Sequence, residues 1–223
     1  MFKQLLIAIT LTVTSTTALA QAAAQYNVAI TNLTPGQTFT PLLVMTHSPD
    51  FRFFFMGTPA SEALEILAEG GDTAPLIETA GDRATESVTV DGLLGPGETA
   101  SVTISGIPGS DFASVTAMLI PTNDTFIGLN RIRLPHSGAV QMLAGALDAG
   151  TEANTQSCAD IPGPRCGGVG YVGAPDENAE GHVHVGNGFH DLGELDDNGA
   201  EVLGPVVYDW GNYVARIVVR RIN

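Results

Sequence analysis

The stretch Phe112-Ala113-Ser114-Val115-Thr116-Ala117-Met118-Leu119-Ile120-Pro121 is more apolar than any that precedes it from Tyr26 onward. It ends in the polar segment Thr122-Asn123-Asp124-Thr125. Two short segments rich in β-branched residues, 87–90 and 99–104, lie before it on either side of Leu94-Gly95-Pro96-Gly97. Such segments, bounded by glycine and proline, are typical of strands joined by turns. The centre of the chain is therefore predicted to be β structure.

The same pattern extends to both ends of the chain. Tyr26-Asn27-Val28-Ala29-Ile30 alternates as a strand does, and residues 39–45, 140–147 and 213–219 are further predicted strands. No repeat with a period of 20 to 50 residues is present, which excludes solenoids and propellers. Short strands separated by turn signals, with one helix, predict an antiparallel β-sandwich.

One helix stands out from the strands. Thr58 is the predicted N-cap, Pro59 the first helical residue, and the helix continues through residues 60–69 until Gly70-Gly71 ends it. Its apolar residues fall on one face, and its glutamates are expected to face solvent.

Four phenylalanines precede the helix, at positions 51, 53, 54 and 55. Aromatic rings bury large apolar areas, so we expect all four to enter the core rather than to form a ligand platform.

The N-terminus has the pattern of a signal peptide. Lys3 provides the positive charge, residues 5–13 a short apolar segment, and Ala18-Leu19-Ala20 the small residues of a cleavage site, with residues 22–24 as a second possibility. The apolar segment is shorter than the ~20 residues that a membrane-spanning helix needs. We expect residues 1–20 to be a signal peptide and residues 21–223 to be one domain of a soluble, exported protein, periplasmic or secreted.

The charge of the chain is strongly acidic. The net charge is −15, and Lys3, the only lysine, belongs to the predicted leader. Such a surface repels nucleic acid and anionic lipid and attracts cations. Solubility alone is an equally good explanation of the charge.

The two cysteines, Cys158 and Cys166, lie close together in a segment rich in glycine and proline. In an oxidising compartment, neighbouring cysteines usually pair, so we expect a disulfide bond. No histidine lies near them to activate a catalytic thiol, and no zinc-finger spacing is present.

The apolar segment 140–147 runs into an acidic turn, Asp148-Ala149-Gly150-Thr151-Glu152. Two carboxylates four residues apart, with a glycine that permits a tight reversal, suit a hard cation that prefers oxygen ligands. A solvated loop is the alternative interpretation of so short a pattern.

Several segments together resemble the spondin N-terminal domain in their order and spacing. They are Thr46-His47-Ser48-Pro49-Asp50-Phe51, residues 57–64 with 67–70, the acidic turn 148–152, and the closing residues 205–217. The resemblance extends from Tyr26 to Ile222. It implies a C2-like, eight-stranded antiparallel sandwich that binds one calcium ion among loops at one end. It also implies an adhesion or interaction module, with a protein or glycan partner at the cell surface.

The calcium ligands that the resemblance implies are Asp124, Asp148 and Glu152. The last of these is aspartate in the family's pattern, and the family's tryptophan after the first aspartate is replaced here by Thr125-Phe126. Since calcium takes six to eight oxygens, carbonyl groups and water would complete the set.

A second metal hypothesis rests on histidines. His182-Val183-His184 would place two imidazoles on one side of a strand, and His190 follows six residues later. Imidazole suits zinc and copper, so a periplasmic transition-metal protein is the alternative function. The nearby acids Glu180 and Asp191 fall at no spacing typical of such a site, and an exposed strand explains the pattern equally well.

Enzyme motifs are absent from the sequence. It contains no G-x-S-x-G, no H-E-x-x-H and no glycine-rich phosphate loop between a strand and a helix. Carboxylates held ionised by calcium would also be poor general acids. We therefore expect a binding protein rather than an enzyme.

Overall fold

The computed structural model describes residues 22–174, 176–189 and 194–223. The signal peptide predicted at residues 1–20 lies outside the described residues. The strands are β1 Ala24–Asn32, β2 Thr38–Phe39, β3 Leu42–His47, β4 Ala84–Val90, β5 Thr99–Gly106, β6 Phe112–Ile120, β7 Thr125–Arg133, β8 Ala139–Ala144, β9 Ala146–Asp148, β10 His184–Val185 and β11 Ala215–Arg221. The helices are α1 Glu62–Gly70, α2 Ala74–Ala80 and α3 Pro205–Tyr208, with a 3-10 turn at Gly81–Arg83.

The strands form two antiparallel sheets. One has four strands in the order β5-β1-β11-β8, and the other has seven, in the order β10-β9-β7-β6-β3-β4 with β2 beside β6. Eight strands have six or more residues, and β2, β9 and β10 are shorter additions. The predicted antiparallel β-sandwich is confirmed.

Strand β6 owes its apolar sequence to its position inside the molecule. On one side, Val115 packs in the main core with Val28 of β1 and Ile217 of β11, so the two sheets enclose this core. On the other side of the seven-stranded sheet, Leu43 packs with α1 through Leu64 and Leu67 in a second core. Both faces are covered, and all nine residues of β6 are buried. The alternation of a half-exposed strand is therefore lost.

The segment 140–147, predicted to be one strand, is divided at Gly145. β8 lies in the four-stranded sheet beside β11, and β9 lies in the seven-stranded sheet beside β7. A Cβ at Gly145 would lie only 3.3 Å from the carbonyl oxygen of Asn212. The prediction of one continuous strand was wrong because the chain changes sheets there. This crossing brings Asp148 level with Thr125, at the start of β7.

The start of α1 also differs from the prediction. Ser61 is the N-cap, and its hydroxyl oxygen accepts a hydrogen bond from the Leu64 amide at 3.3 Å. The hydroxyl of Thr58 donates instead to the carbonyl of Phe55. Both residues suit an N-cap, and the position that packs Leu64 into the core decides between them.

Helical structure extends beyond the one helix that was predicted. α1 ends at Gly70, with Gly71 as its C-cap, and α2 begins at Ala74, with Pro75 in its first turn. The two helices lie against the seven-stranded sheet in the second core.

A second correction concerns Glu69, which was expected to face solvent but is only 3% exposed.

The four phenylalanines divide between core and surface. Phe51 and Phe53 are buried and Phe54 packs partly against the second core, as predicted. Phe55 is 57% exposed, so its predicted burial was wrong. Its ring lies against the guanidinium of Arg52, 5.4 Å from the ring centroid, which partly shields it from water.

Segment 150–178 is mostly loop, and a disulfide closes part of it. Cys158 and Cys166 are bonded, as predicted. They pack against a third, small core formed by Ile161, Phe189 and Leu203. A long loop thus has its own apolar centre.

Replacing Ser61 with alanine tests the observed helix start. Ser61→Ala removes the cap of α1 and should lower the free energy of unfolding by about 1 kcal/mol in urea denaturation. Thr58→Ala is the matched control and should cost less. An equal or larger loss for Thr58→Ala would contradict the assignment of the cap to Ser61.

Candidate metal centre

Asp124 lies in the turn between β6 and β7 and is fully buried. Its Oδ2 accepts hydrogen bonds from the amide of Thr151 at 2.7 Å and the amide of Glu152 at 3.1 Å. The hydroxyl of Thr151 lies 3.2 Å from the same oxygen, and the amide of Ala149 donates to the backbone carbonyl of Asp124. The structure thus places Asp124 beside the acidic turn 148–152, although 24 residues separate Asp124 from Asp148.

Asp148 ends β9 and is also fully buried. Its Oδ1 accepts a hydrogen bond from the amide of Gly150, and its Oδ2 accepts one from the side-chain amide of Asn154, both at 2.8 Å. These contacts fix the orientation of the carboxylate at the start of the turn.

Two carboxylate oxygens in this region are buried without a hydrogen-bond partner. They are Oδ1 of Asp124 and Oε2 of Glu152. A buried carboxylate oxygen without a donor is costly unless it carries a proton or contacts a cation. Each of these two carboxyl groups is therefore expected either to be protonated or to contact a cation.

The pKa values of the carboxyl groups also indicate that ionisation is unfavourable here. Burial and, to a lesser extent, the nearby Asp148 carboxylate raise the pKa of Asp124 to about 7, although the hydrogen bonds from Thr151 and Glu152 lower it. Burial likewise raises the pKa of Glu152 to about 8, with the charges of Glu69 and Asp124 adding to the rise. Burial is also the main cause of the raised pKa of Asp148. Without a cation, these groups resist ionisation.

Glu69 is a member of this acidic region that sequence reasoning missed. It is a buried residue in the last turn of α1, and burial raises its pKa. Among the charged groups that raise the pKa of Glu152, Glu69 has the largest effect. Glu69 lies in residues 67–70, one of the segments that resemble the spondin family, and this could have marked it as a candidate. The periodicity of the helix gave no reason to expect its burial.

Gly150 joins the acidic turn to the histidine segment. Its φ is +66°, and an added Cβ would lie 2.4 Å from the carbonyl oxygen of His182. The amide of Gly181 donates to the carbonyl of Gly150 at 2.9 Å. Glycine is needed at this position both for the left-handed backbone and for the close approach.

The predicted histidine set lies only partly within the described residues. The rings of His182 and His184 are 5.3 Å apart, and His190 lies outside the described residues. Nε2 of His184 instead lies 3.3 Å from Oδ1 of Asp148 and 3.9 Å from Oε2 of Glu180. β10 pairs with β9 so that His184 is opposite Asp148.

Glu180 was set aside at the sequence level for want of a typical spacing, and that judgement was wrong. Gly181, with φ +76°, turns the chain between Glu180 and the strand. In the described part of the chain, Asp148, Glu180 and His184 are the group of three potential metal ligands whose atoms lie within 4.8 Å of one another. Asp124 and Glu152 are not members of that group.

The Spondin_N family model matches residues 23–159, which is more than half of the chain. The chain belongs to the spondin N-terminal domain family. The matched range includes Asp124, Asp148 and Glu152, whereas Glu180 and His184 lie beyond it. A comparison with curated proteins found no match.

Features of the fold agree with the setting that this family suggests. A spondin domain with a disulfide fits an extracellular protein. Within the described residues, no helix has the length and apolar character needed to cross a membrane.

The raised pKa values predict a pH-dependent stability in metal-free protein. Folding is linked to pH when an acid has a higher pKa in the folded state than in the unfolded state. Its contribution to stability is complete at a pH below the unfolded-state pKa, near 4, and is lost as the pH rises through the folded-state pKa. For Asp124 and Glu152, the loss should be complete only above about pH 7 to 8. We expect the melting temperature in chelator to fall by roughly 5 °C between pH 5 and pH 8.5.

Scanning calorimetry of wild type and Asp124→Asn would measure this dependence. The variant cannot ionise at position 124, so its melting temperature should depend less on pH. A wild-type melting temperature that rises over this interval would contradict the proposed crowding of acids.

Replacing Gly150 with alanine tests the contact between the two segments. Gly57 is the matched control because its φ is +75° and no atom lies within 4 Å of an added Cβ. Gly57→Ala should cost about 1 to 2 kcal/mol from the backbone alone. Gly150→Ala should cost a further ~1 to 3 kcal/mol because the methyl group meets the His182 backbone. Urea denaturation of both variants measures the difference, and equal losses would refute the contact.

Proposed function

We propose that this spondin-type domain binds one calcium ion through Asp124, Asp148 and Glu152. The observation that carries the proposal is the pair of buried oxygens without donors, Oδ1 of Asp124 and Oε2 of Glu152. Carboxylate oxygens are the ligands that calcium prefers, and a divalent cation would offset the repulsion among these acids.

The backbone of the acidic turn prepares the carboxylates for a cation. The amides of Thr151 and Glu152 use only Oδ2 of Asp124, so Oδ1 stays free for a ligand bond. Asp148 is oriented at both oxygens, by the Asn154 amide at Oδ2 and by the Gly150 amide at Oδ1, and each oxygen keeps a second lone pair for a ligand bond. Calcium takes six to eight oxygens, so backbone carbonyls and water would supply the remainder.

A cavity borders one of the three proposed ligands. It has a volume of about 280 Å³ and is lined by Asn123, Glu152, Asp160 and Asp176, among other residues. Its three carboxylates would attract a cation, as would the net charge of −15.

Bound calcium would act mainly on structure. It would join the β6–β7 turn to the turn 148–152, which the hydrogen bonds of Asp124 already connect. The domain would then present ordered loops at one end of the sandwich. We propose that the protein is exported, periplasmic or secreted, and that these loops bind a protein or glycan partner at the cell surface rather than catalyse a reaction.

Calcium should raise the melting temperature of the metal-stripped protein. At about a hundred times the Kd, a ligand stabilises the fold by ~2.7 kcal/mol, which for a chain of this size is roughly 5 to 10 °C. Asp124→Asn and Asp148→Asn should each remove most of this gain. Glu78→Gln, which alters an exposed carboxylate on α2, is the control and should keep it.

Differential scanning fluorimetry with calcium and with chelator provides the measurement. Identical wild-type melting curves in the two conditions would defeat the proposal. So would an undiminished gain in Asp124→Asn.

A further inference from the structure

The orientation of the His184 ring leaves one nitrogen without an ordinary partner. Nδ1 lies 2.9 Å from the carbonyl oxygen of Val185, and a carbonyl can only accept, so Nδ1 carries the proton. In the neutral ring, Nε2 then has a bare lone pair. That nitrogen is buried without a hydrogen bond, although Oδ1 of Asp148 is 3.3 Å away. A lone pair facing carboxylate oxygens is repelled unless a proton or a metal ion lies between them.

Asn154 holds the two carboxylates around this nitrogen. Its side-chain amide donates to Oδ2 of Asp148 at 2.8 Å and to Oε1 of Glu180 at 3.1 Å. The opposite oxygens, Oδ1 of Asp148 and Oε2 of Glu180, are the two that face Nε2 of His184. Hydrogen-bonded neighbours of this kind orient ligands in metal sites.

We propose that His184, Asp148 and Glu180 bind a divalent transition metal ion such as zinc, at a site distinct from the calcium set. One imidazole nitrogen and two carboxylate oxygens are ligands that zinc accepts, whereas calcium disfavours nitrogen. In a tetrahedral zinc site with bonds of about 2.0 to 2.2 Å, ligand atoms are roughly 3.3 to 3.5 Å apart. The observed separations of 3.3 and 3.9 Å from Nε2 are close to that geometry.

An ion pair between protonated His184 and Asp148 is the simpler alternative. At 3.3 Å, Nε2 is within ion-pair distance of Oδ1, but it makes no hydrogen bond to that oxygen, whereas a metal ion would use its lone pair directly. The cysteines cannot contribute to the site, since Cys158 and Cys166 are bonded to each other. The set therefore consists of one nitrogen and two oxygen ligands, and in a tetrahedral zinc site water would take the fourth position.

Asp148 belongs to both sets of ligands. The sharing of this residue with a calcium ion rests on the proposed function, but the zinc set itself does not. Two divalent cations on one carboxylate repel each other, so calcium should weaken zinc binding.

Isothermal titration of the metal-stripped full chain with zinc chloride tests the proposal. We expect one zinc ion per chain, and His184→Asn and Glu180→Gln should each weaken binding by about tenfold or more. His182→Asn is the control, because Nδ1 of His182 faces the carbonyl of Glu180 and the residue is not one of the three ligands. Cobalt(II) absorption bands should likewise be lost in His184→Asn, and circular dichroism would confirm that each variant is folded.

The calcium response of the same variants separates this proposal from the previous one. His184→Asn should lose zinc binding and keep the melting-temperature gain with calcium. Zinc binding that survives in His184→Asn but is lost in Asp124→Asn would mean that zinc only enters the calcium set, and would overturn the inference. Zinc binding that depends on His184 in a protein with no calcium response would support this site and refute the other. A zinc affinity unaffected by bound calcium would overturn the sharing of Asp148.

Discussion

The burial of the Asp124 carboxylate against the backbone of residues 151–152 is the interaction on which the site depends. Two amides hold Oδ2, while Oδ1 remains buried without a donor. The hydrogen bonds favour the ionised form, but burial disfavours it more strongly, because the pKa is raised to about 7. The carboxylate therefore needs a proton or a cation. Nearby Asp148 and Glu152 have raised pKa values as well, so a cation would relieve the whole group.

The scaffold explains how these acids are forced together. β6 is covered on both faces, and the turn that follows it is closed in by the turn after β9. The chain changes sheets at Gly145, and this change places β9 beside β7. α1 covers the outer face of the seven-stranded sheet and brings Glu69 towards Glu152. Packing of apolar side chains thus provides the free energy that holds like charges close.

The second group of ligands arises from the same turn. Gly150 allows the segment that contains His182 to approach, and β10 then pairs with β9. His184 is placed opposite Asp148 by that pairing. Asp148 would consequently belong to the proposed all-oxygen set on one side and to the proposed mixed nitrogen and oxygen set on the other. The two sets differ in the kind of metal they suit, because nitrogen ligands favour transition metals over calcium.

Local sequence patterns predicted most of the strands, since alternation and turn residues act over short distances. The resemblance to the spondin family, rather than local pattern, predicted that Asp124 would be near Asp148. The sequence predictions were wrong where two local structures suit the sequence equally well and tertiary contacts decide between them. Thr58 and Ser61 both suit an N-cap, and nothing local marks Gly145 as a point of sheet exchange. Glu180 and His184 are four residues apart, but Asp148 meets them only through the β9–β10 pairing, which joins segments more than 30 residues apart in the chain.

A crystal structure of the protein grown with calcium would test the central claim most directly. We predict one strong density peak in contact with carboxylate oxygens of Asp124, Asp148 and Glu152, at the ~2.3 to 2.6 Å typical of calcium. Backbone carbonyls or water should complete six to eight ligands. The claim would be contradicted if no peak were present there and Asp124 and Glu152 instead shared protons with neighbouring oxygens.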